Sequence, residues 1–396
     1  MKRILIVHSN MEIGGAETSL IGLLHSFDYS RVKVDLFLLN HTGEVLDLVP
    51  KEVNLLSVNK KYQSLDLSVK NALLNYPPIA ITRVISRVIC VLKNKLNHYS
   101  DYGYIVKQYA HYYSIPFLPK FDGVYDLAIS FIDPHFILAK KVNSKNKIGW
   151  FHTDFASITP CKRMEKKMWS GCDWIVNVSE STKKQFDLCH KEFVDRSLAI
   201  ENILSYDLLN KRSKKEVTDF SPNKEEIKIL SIGRFCEAKN FDNVPIICKL
   251  IREKGLNVKW YIIGYGGDED LVKAKIKEHN MEDYVIILGK KDNPYPYIRA
   301  CDVYIQPSRY EGKSVAVREA QMLNKPVVIT NYATSSSQLD DGFDGVIVPM
   351  DNESCAQGIV QLLKNPSKMS ELIENTKSRD YSNSAEVEKL YKIMGI

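Results

Sequence analysis

Two carboxylates offer the first chemistry in this sequence. Glu311 and Glu319 are separated by seven residues within the stretch SRYEGKSVAVREAQMLNKPVVIT, residues 308–330. The run 302–306 predicts a strand that stops at Pro307, so Glu311, Gly312 and Lys313 fall in a loop. A helical pattern covers 314–323, Asn324-Lys325-Pro326 ends it, and 327–330 predicts the next buried strand. A carboxylate in such a loop can accept hydrogen bonds from sugar hydroxyls, and one in the second helical turn can hold a ribose diol. The amides of Ser314 and Val315, at the positive end of the helix dipole, suit a phosphate. Taken alone, the pair also fits an ordinary loop glutamate and a helix-surface glutamate. The residues around it point further.

A second set of groups surrounds the strand expected at 227–232. Gly233-Arg234 follows it directly, and Lys239-Asn240 comes shortly after. A guanidinium can grip a phosphate bidentately and an ammonium adds a point charge, so the two suit a diphosphate. Surface-exposed basic residues are the alternative. A strand at 258–263 leads into GYGGDEDL, with Gly264 and Gly266, and one at 285–289 leads into Lys290-Lys291. Asp268-Glu269-Asp270 spells the D-x-D of metal-dependent glycosyltransferases. Acidic residues at a helix start are explained by the dipole, so no metal site is expected.

The central stretch resembles the Glu-x7-Glu signature of retaining GT-B glycosyltransferases, in particular glycosyltransferase family 4 (glycosyl transferases group 1). Pro307-Ser308, Glu311-Gly312, Glu319-Ala320 and Pro326-Val327-Val328 stand where that family carries Pro-Ser, Glu-Gly, Glu-Ala and Pro-Val-Val. Lys313-Ser314 departs from the aromatic and small residues common there. Gly233-Arg234 with Lys239-Asn240, and the glycine loop at Gly264 and Gly266, are similar to the family as well. The resemblance implies an α/β GT-B fold, with two Rossmann-like domains whose parallel sheets face a central cleft. It further implies that Arg234 and Lys239 bind the donor diphosphate and that Glu311 binds the sugar. Glu319 would then bind the ribose, Lys290 would lie beside the base, and Lys313, Ser314 and Val315 would form the phosphate loop.

In the first half, 2–8 predicts a buried strand, followed by a loop with Gly14 and Gly15 and a helix over 16–27. The glycines either let the backbone approach a ligand or simply make a tight turn. The pattern is not G-x-G-x-x-G, so a nicotinamide fingerprint is poorly supported. Further strands are expected at 32–39, 53–58, 124–131, 147–151, 172–177 and 196–201, with Ser179 capping a helix. His152, just past a strand end, faces the crevice where open α/β sheets bind ligands, although a lone histidine is more often structural. The family resemblance implies that His152 contacts the donor sugar and that Gly-Gly-Ala-Glu lies near the donor diphosphate and the acceptor. The expected catalytic set is His152, Arg234, Lys239 and Glu311.

The segment 79–113 reads as helical. Between 79 and 100 it has no acidic residue but carries Arg83, Arg87, Lys93 and Lys95. Ile81, Val84, Ile85, Val88, Ile89 and Leu92 form an apolar stripe. Such a helix can lie on an anionic bilayer, and core packing with a solvated basic face is the alternative.

The 396 residues suffice for two domains, and 44% hydrophobic with 26% charged residues is ordinary globular composition. The boundaries expected are an acceptor-side domain over 1–205, a polar linker over 206–226, and a nucleotide-sugar domain over 227–379. A terminal helix within 380–396 is expected to pack back on the first domain. The net charge of +6 suits an anionic substrate or membrane surface, and no nucleic-acid motif is present. Eight cysteines without a C-x-x-C pair argue against zinc or redox chemistry. The first apolar run is too short for a signal peptide, and no stretch approaches the ~20 apolar residues of a spanning helix. A cytoplasmic protein, peripheral at the inner face of the plasma membrane, is therefore expected.

The function expected is retaining transfer of a hexose or N-acetylhexosamine from a nucleotide-diphosphate sugar, UDP-linked, with no cofactor. The acceptor would be a glycan or lipid-linked glycan in bacterial surface polysaccharide biosynthesis, such as capsule or exopolysaccharide. A sugar-nucleotide epimerase and a non-catalytic partner subunit of an assembly complex compete with that reading.

Overall fold

Unbroken apolar runs such as ILIV at 4–7 leave no polar face, so the strands they form must be covered on both sides, as parallel strands are. The computed structural model describes residues 1–97, 102–152, 161–220, 223 and 225–396. It divides the chain into unit 1, Met1–Ile203 with Ser384–Ile396, and unit 2, Leu204–Asn383.

Unit 1 holds β1 (Lys2–His8), β2 (Val32–Leu38), β3 (Asn54–Leu55), β4 (Tyr125–Phe131), β5 (Ser144–Phe151), β6 (Trp174–Asn177) and β7 (Ser197–Ala199). They form one parallel sheet in the order β3-β2-β1-β4-β5-β6-β7, with Ile4 opposite Leu127. Unit 2 holds β8 (Ile227–Ile232), β9 (Val258–Ile263), β10 (Val285–Gly289), β11 (Val303–Gln306), β12 (Val327–Thr330) and β13 (Val346–Val348). Their order is β10-β9-β8-β11-β12-β13, again all parallel, with Val303 opposite Ile229. In each sheet the order reverses beside the first strand, at β1/β4 and β8/β11. Helices on opposite faces diverge at such a reversal, and this opens the crevice at the strands' carboxyl ends where ligands bind.

Several expectations change in detail. The strand expected at 53–58 is reduced to Asn54–Leu55, because it lies at the sheet edge with both residues exposed. The start of the supposed linker is the helix Tyr206–Ser213, capped by Ser205 Oγ on the Leu208 amide and belonging to unit 2. Leu209 drives this, buried in the same core as Tyr295 and Val315. The segment expected as one helical stretch contains two helices, Pro77–Asn97 and Tyr102–Ser114. Residues 98–101 lie outside the described residues, as do Thr153 and Asp154 beside His152.

The helix Val387–Met394 is part of unit 1 although it follows all of unit 2. The Asp28 amide donates to the Tyr391 hydroxyl at 2.7 Å, the Arg31 guanidinium sits 4.2 Å from the Tyr391 ring centre, and Lys389 Nζ donates to the Ala199 carbonyl at 2.9 Å. Among the described residues no helix is long and apolar enough to cross a membrane.

Candidate active site

In unit 2 the candidate residues gather at the β8/β11 reversal. Gly233 directly follows β8, and a side chain there would press on Lys239, whose Cε would lie 2.9 Å from an added Cβ. Gly264 and Gly266 have φ of 155° and 157°, and added Cβ atoms would stand 1.8 Å from the Gly233 carbonyl oxygen and 2.4 Å from that of Phe235. The loops after β8 and β9 can therefore touch through their backbones only because these positions are glycine.

Lys239 Nζ pairs with Glu311 Oε1 at 2.5 Å. The same oxygen accepts the Ser308 hydroxyl at 2.7 Å, and the Thr334 hydroxyl donates to the Glu311 carbonyl at 2.7 Å. Behind Ser308 the polar chain continues. Gln306 Nε2 donates to Ser308 Oγ at 3.0 Å, and the Tyr304 hydroxyl donates to Gln306 Oε1 at 2.7 Å. Every bond runs in one direction, from Tyr304 through Gln306 and Ser308 to the carboxylate, and the first three residues are fully buried. This directional chain fixes Glu311 in one pose. Tyr304 and Gln306 were not singled out from the sequence. Their one signal was a glutamine and a tyrosine at alternate positions of an otherwise apolar strand, which places both on one face.

Arg234 is exposed, and among the described residues no hydrogen bond or ion pair holds it. An unengaged guanidinium beside a glycine turn is available to an anion. The loop before the helix Val315–Met322 is more occupied than expected. The Ser314 amide donates to Gln338 Oε1 at 2.6 Å, and Lys313 Nζ donates to the Ser337 carbonyl. Amide donors for a phosphate therefore begin at Val315 and not at Ser314. Lys290 Nζ lies 4.9 Å from the centre of the Tyr265 ring.

Glu319 sits in the second turn of that helix, as expected, but it is buried. The Tyr295 hydroxyl donates to its Oε1 at 3.0 Å. Burial pushes its carboxyl up to about 7, against the opposing pull of Tyr295 and the Arg212 charge. The metal-type motif is absorbed by its helix: Asp268 takes the N-cap position of Glu269–Glu278, and Glu269 pairs with Lys273 at 2.7 Å. No cluster of three or more metal-ligating side chains occurs among the described residues.

In unit 1 the equivalent reversal carries another cluster. His152 follows β5, its ring 4.4 Å from that of Phe131 at the end of β4. Burial lowers His152 to about 3, with His8 and His135 adding to the effect, so it is neutral at pH 7. Its buried Nε2 has no hydrogen-bond partner among the described residues. Gly14 precedes the helix Gly15–Ser26 in an extended conformation, and Gly15 opens it. The sequence reading missed two residues at this edge, His8 and Asp133, and placed Glu17 only as part of the Gly-Gly-Ala-Glu loop. His8 is buried at the end of β1, Glu17 bonds it from the helix, and Asp133 accepts the Ser9 hydroxyl at 2.7 Å. Burial would raise Asp133, but Lys107, His111 and Ser9 hold it down at about 2.

With this geometry in place, comparison with known proteins gives a consistent class. Residues 213–379, within unit 2, match the model of the family glycosyl transferases group 1. Solved structures similar to the chain over its whole length have the GT-B fold. A mutant of Staphylococcus aureus TarM in complex with fondaparinux, alpha-GlcNAc-glycerol and UDP has a TM-score of 0.70 at 15% identity, covering 100% of both chains. Anabaena HepE in complex with UDP has a TM-score of 0.65 at 15% identity, also over 100% of both. This chain has that fold.

Among curated relatives, 140 residues are 34% identical to the N-acetylgalactosamine-N,N'-diacetylbacillosaminyl-diphospho-undecaprenol 4-alpha-N-acetylgalactosaminyltransferase of Campylobacter jejuni, over 35% of this chain and 37% of the relative. A further 218-residue match is 24% identical to the poly(ribitol-phosphate) alpha-N-acetylglucosaminyltransferase of Staphylococcus aureus, over 54% of this chain and 42% of the relative. The chain thus spans less than half the length of either.

Proposed function

We propose that this chain is a glycosyltransferase that moves a hexose or N-acetylhexosamine from a UDP-sugar onto a glycan or lipid-linked glycan of a bacterial surface polysaccharide. It does so with retention of anomeric configuration and without a metal ion. The observation that carries this reading is the oriented Lys239–Glu311 pair beside the unengaged Arg234, at the sheet reversal of a group 1 glycosyltransferase domain.

The geometry supports a simple division of labour. In the reaction the bond between the anomeric carbon and the diphosphate oxygen breaks, and an acceptor oxygen bonds to that carbon. Charge grows on the diphosphate as it leaves. Arg234, Lys239 and the amides from Val315 onward supply positive potential for it, and preorganised electrostatics of this kind is usually the largest catalytic contribution. The acceptor proton goes to the leaving phosphate. Glu311, held by Ser308, takes sugar hydroxyls, and Glu319 offers its carboxyl to the ribose.

We place the protein at the inner face of the plasma membrane through the helix Pro77–Asn97. Most of its apolar stripe is exposed, with Ile81 53% exposed, Val88 55% and Leu92 61%, while Ile89 packs against the core of unit 1. The basic residues contribute less than their number suggests. Arg83 is half-buried and donates to the carbonyls of Ser64 (2.8 Å) and Leu67, and Lys93 Nζ lies 5.3 Å from the Tyr109 ring centre. The described surface therefore favours insertion of apolar side chains into a lipid surface over purely ionic adhesion.

The test is a screen of UDP-glucose, UDP-GlcNAc and UDP-GalNAc with undecaprenyl-diphosphate-linked aminosugar, run with and without EDTA, with product linkage read by NMR. An α-linked product formed at the same rate in EDTA is expected. Free epimer from donor alone, loss of activity in EDTA, or no product from any donor would each reject the corresponding part of the reading.

A further inference from the structure

The helix Tyr206–Ser213, which the sequence hides in a supposed linker, brings a charge into unit 2. Leu209 anchors it in the core shared with Tyr295 and Val315, and Arg212, three residues on, lies on the same side of the helix. The Arg212 guanidinium sits 5.6 Å from the centre of the Tyr295 ring, and its Nη2 donates to the Asp292 carbonyl at 2.6 Å. Asn293 Nδ2 donates in return to the Arg212 carbonyl at 2.9 Å. Helix and loop therefore tie each other, and Pro294 and Pro296 stiffen the backbone on both sides of Tyr295.

The tie ends on Glu319. The hydroxyl of the buried Tyr295 donates to Glu319 Oε1 at 3.0 Å, across 24 residues of sequence. With Oε1 engaged, the carboxylate is fixed, and Oε2 is the oxygen it can present to a ribose hydroxyl.

Three groups bear on this carboxylate. Burial favours its neutral form, while the Tyr295 bond and the Arg212 charge favour the ionised one. Tyr304, from β11, faces it as a neutral phenol, kept so by burial and by Glu319 itself. The balance matters for a ligand, because an ionised carboxylate accepts hydroxyls more strongly than a neutral acid does.

We propose that Tyr295, with Arg212 against its ring, is a positioning residue: it fixes the Glu319 carboxylate as an acceptor for the ribose hydroxyls and so makes the donor site select ribonucleotides. This rests on the reading of Glu319 as the ribose-binding group.

The test is calorimetry on the full chain from pH 6 to 9, with UDP and with 2′,3′-dideoxy-UDP, which keeps the base and diphosphate but lacks both ribose hydroxyls. Above pH 7 the wild type should bind UDP roughly tenfold or more tighter than the dideoxy compound, the gain expected for hydrogen bonds to a charged group. That ratio should shrink toward pH 6 as Glu319 takes up its proton. In Tyr295→Phe and in Arg212→Gln the ratio should be lost at pH 7 and recover by pH 9, because each variant removes an influence that favours the charged form. Should Tyr295→Phe fail to fold, Arg212→Gln decides by the same shift. Variant ratios that match the wild type at every pH, or that fall equally at every pH, would overturn the inference and leave the ribose role of Glu319 standing. A wild-type ratio of one throughout would remove that role and the inference with it, while product formation in the UDP-sugar screen judges the transferase reading separately.

Discussion

The ammonium of Lys239 and the hydroxyl of Ser308 meet on a single oxygen of Glu311, at 2.5 and 2.7 Å. The group expected to bind phosphate and the group expected to bind sugar are thus each other's partner. A diphosphate arriving at Lys239 must share the ammonium with Glu311, whereas Arg234, exposed beside the same turn, has no such prior engagement.

That difference separates two variants. Arg234→Ala should lower kcat/KM by ~10²–10³ and leave stability within about 0.5 kcal/mol, as for an unengaged surface residue. Lys239→Ala should lower the rate similarly but also reduce Tm, because it leaves the Glu311 carboxylate without its counter-charge. Steady-state kinetics and thermal melts of both variants check this. Wild-type rates in both would dismiss the phosphate assignment.

The chain behind Glu311 predicts an effect from residues that touch no ligand. Ser308→Ala removes one donor to the carboxylate and strands Gln306 Nε2 in the core, at about 1–3 kcal/mol. Turnover should fall while UDP affinity by calorimetry is retained. Gln306→Glu reverses the bond direction at its centre and should be worse than Ser308→Ala. Unchanged kcat in Ser308→Ala would mean that Glu311 needs no orientation.

Glu319 carries a pH signature. Its carboxyl stands at about 7 in the folded chain, raised by burial, against about 4.3 when unfolded. Between those values the folded state keeps a proton that the unfolded state loses. The contribution of this group is therefore complete below about pH 4.3 and is lost as pH rises through 7. In Glu319→Gln, Tm should decline less from pH 4.5 to 8 than in the wild type. Part of the decline will remain, because burial raises Glu165 to about 7 as well. Equal slopes would contradict the buried, protonated state. Glu319→Ala should also weaken UDP binding through the ribose, and unchanged affinity would dismiss that role.

For the membrane, replacing Ile85, Val88 and Leu92 together with Ser should abolish sedimentation with anionic liposomes, since each apolar side chain buried in lipid contributes about 1.5–3 kcal/mol. High salt should weaken wild-type binding only in part. Arg83→Gln should lower Tm more than it lowers lipid binding, because Arg83 ties the helix to the carbonyls of Ser64 and Leu67. Undiminished sedimentation of the triple variant would show that the stripe does not meet lipid.

What the sequence disclosed follows physical lines. Strands 227–232, 258–263, 285–289 and 327–330 were readable to the residue, because short runs rich in Ile, Val and aromatic residues stand between turn residues. Arg234, Lys239 and Glu311 were visible as charged residues at strand ends. Lys239 binding Glu311 was not, since 72 residues separate them and only tertiary closure makes the pair. The helix Tyr206–Ser213 was hidden by polar composition, with Leu209 as its core anchor. Glu17 was read as part of a glycine motif, because His8 lies on another element.

The late helix Val387–Met394 has a consequence for synthesis. Its side chains Leu390, Tyr391 and Met394 are buried parts of unit 1, yet the ribosome makes them only after every residue of unit 2. At ~5–20 residues per second, unit 1 waits roughly ten to forty seconds with the seat for Tyr391 at Phe27, Asp28 and Arg31 unfilled. The nascent unit 1 is therefore the stage at which chaperone binding should peak, and unit 2 can complete its own sheet before its older neighbour has closed.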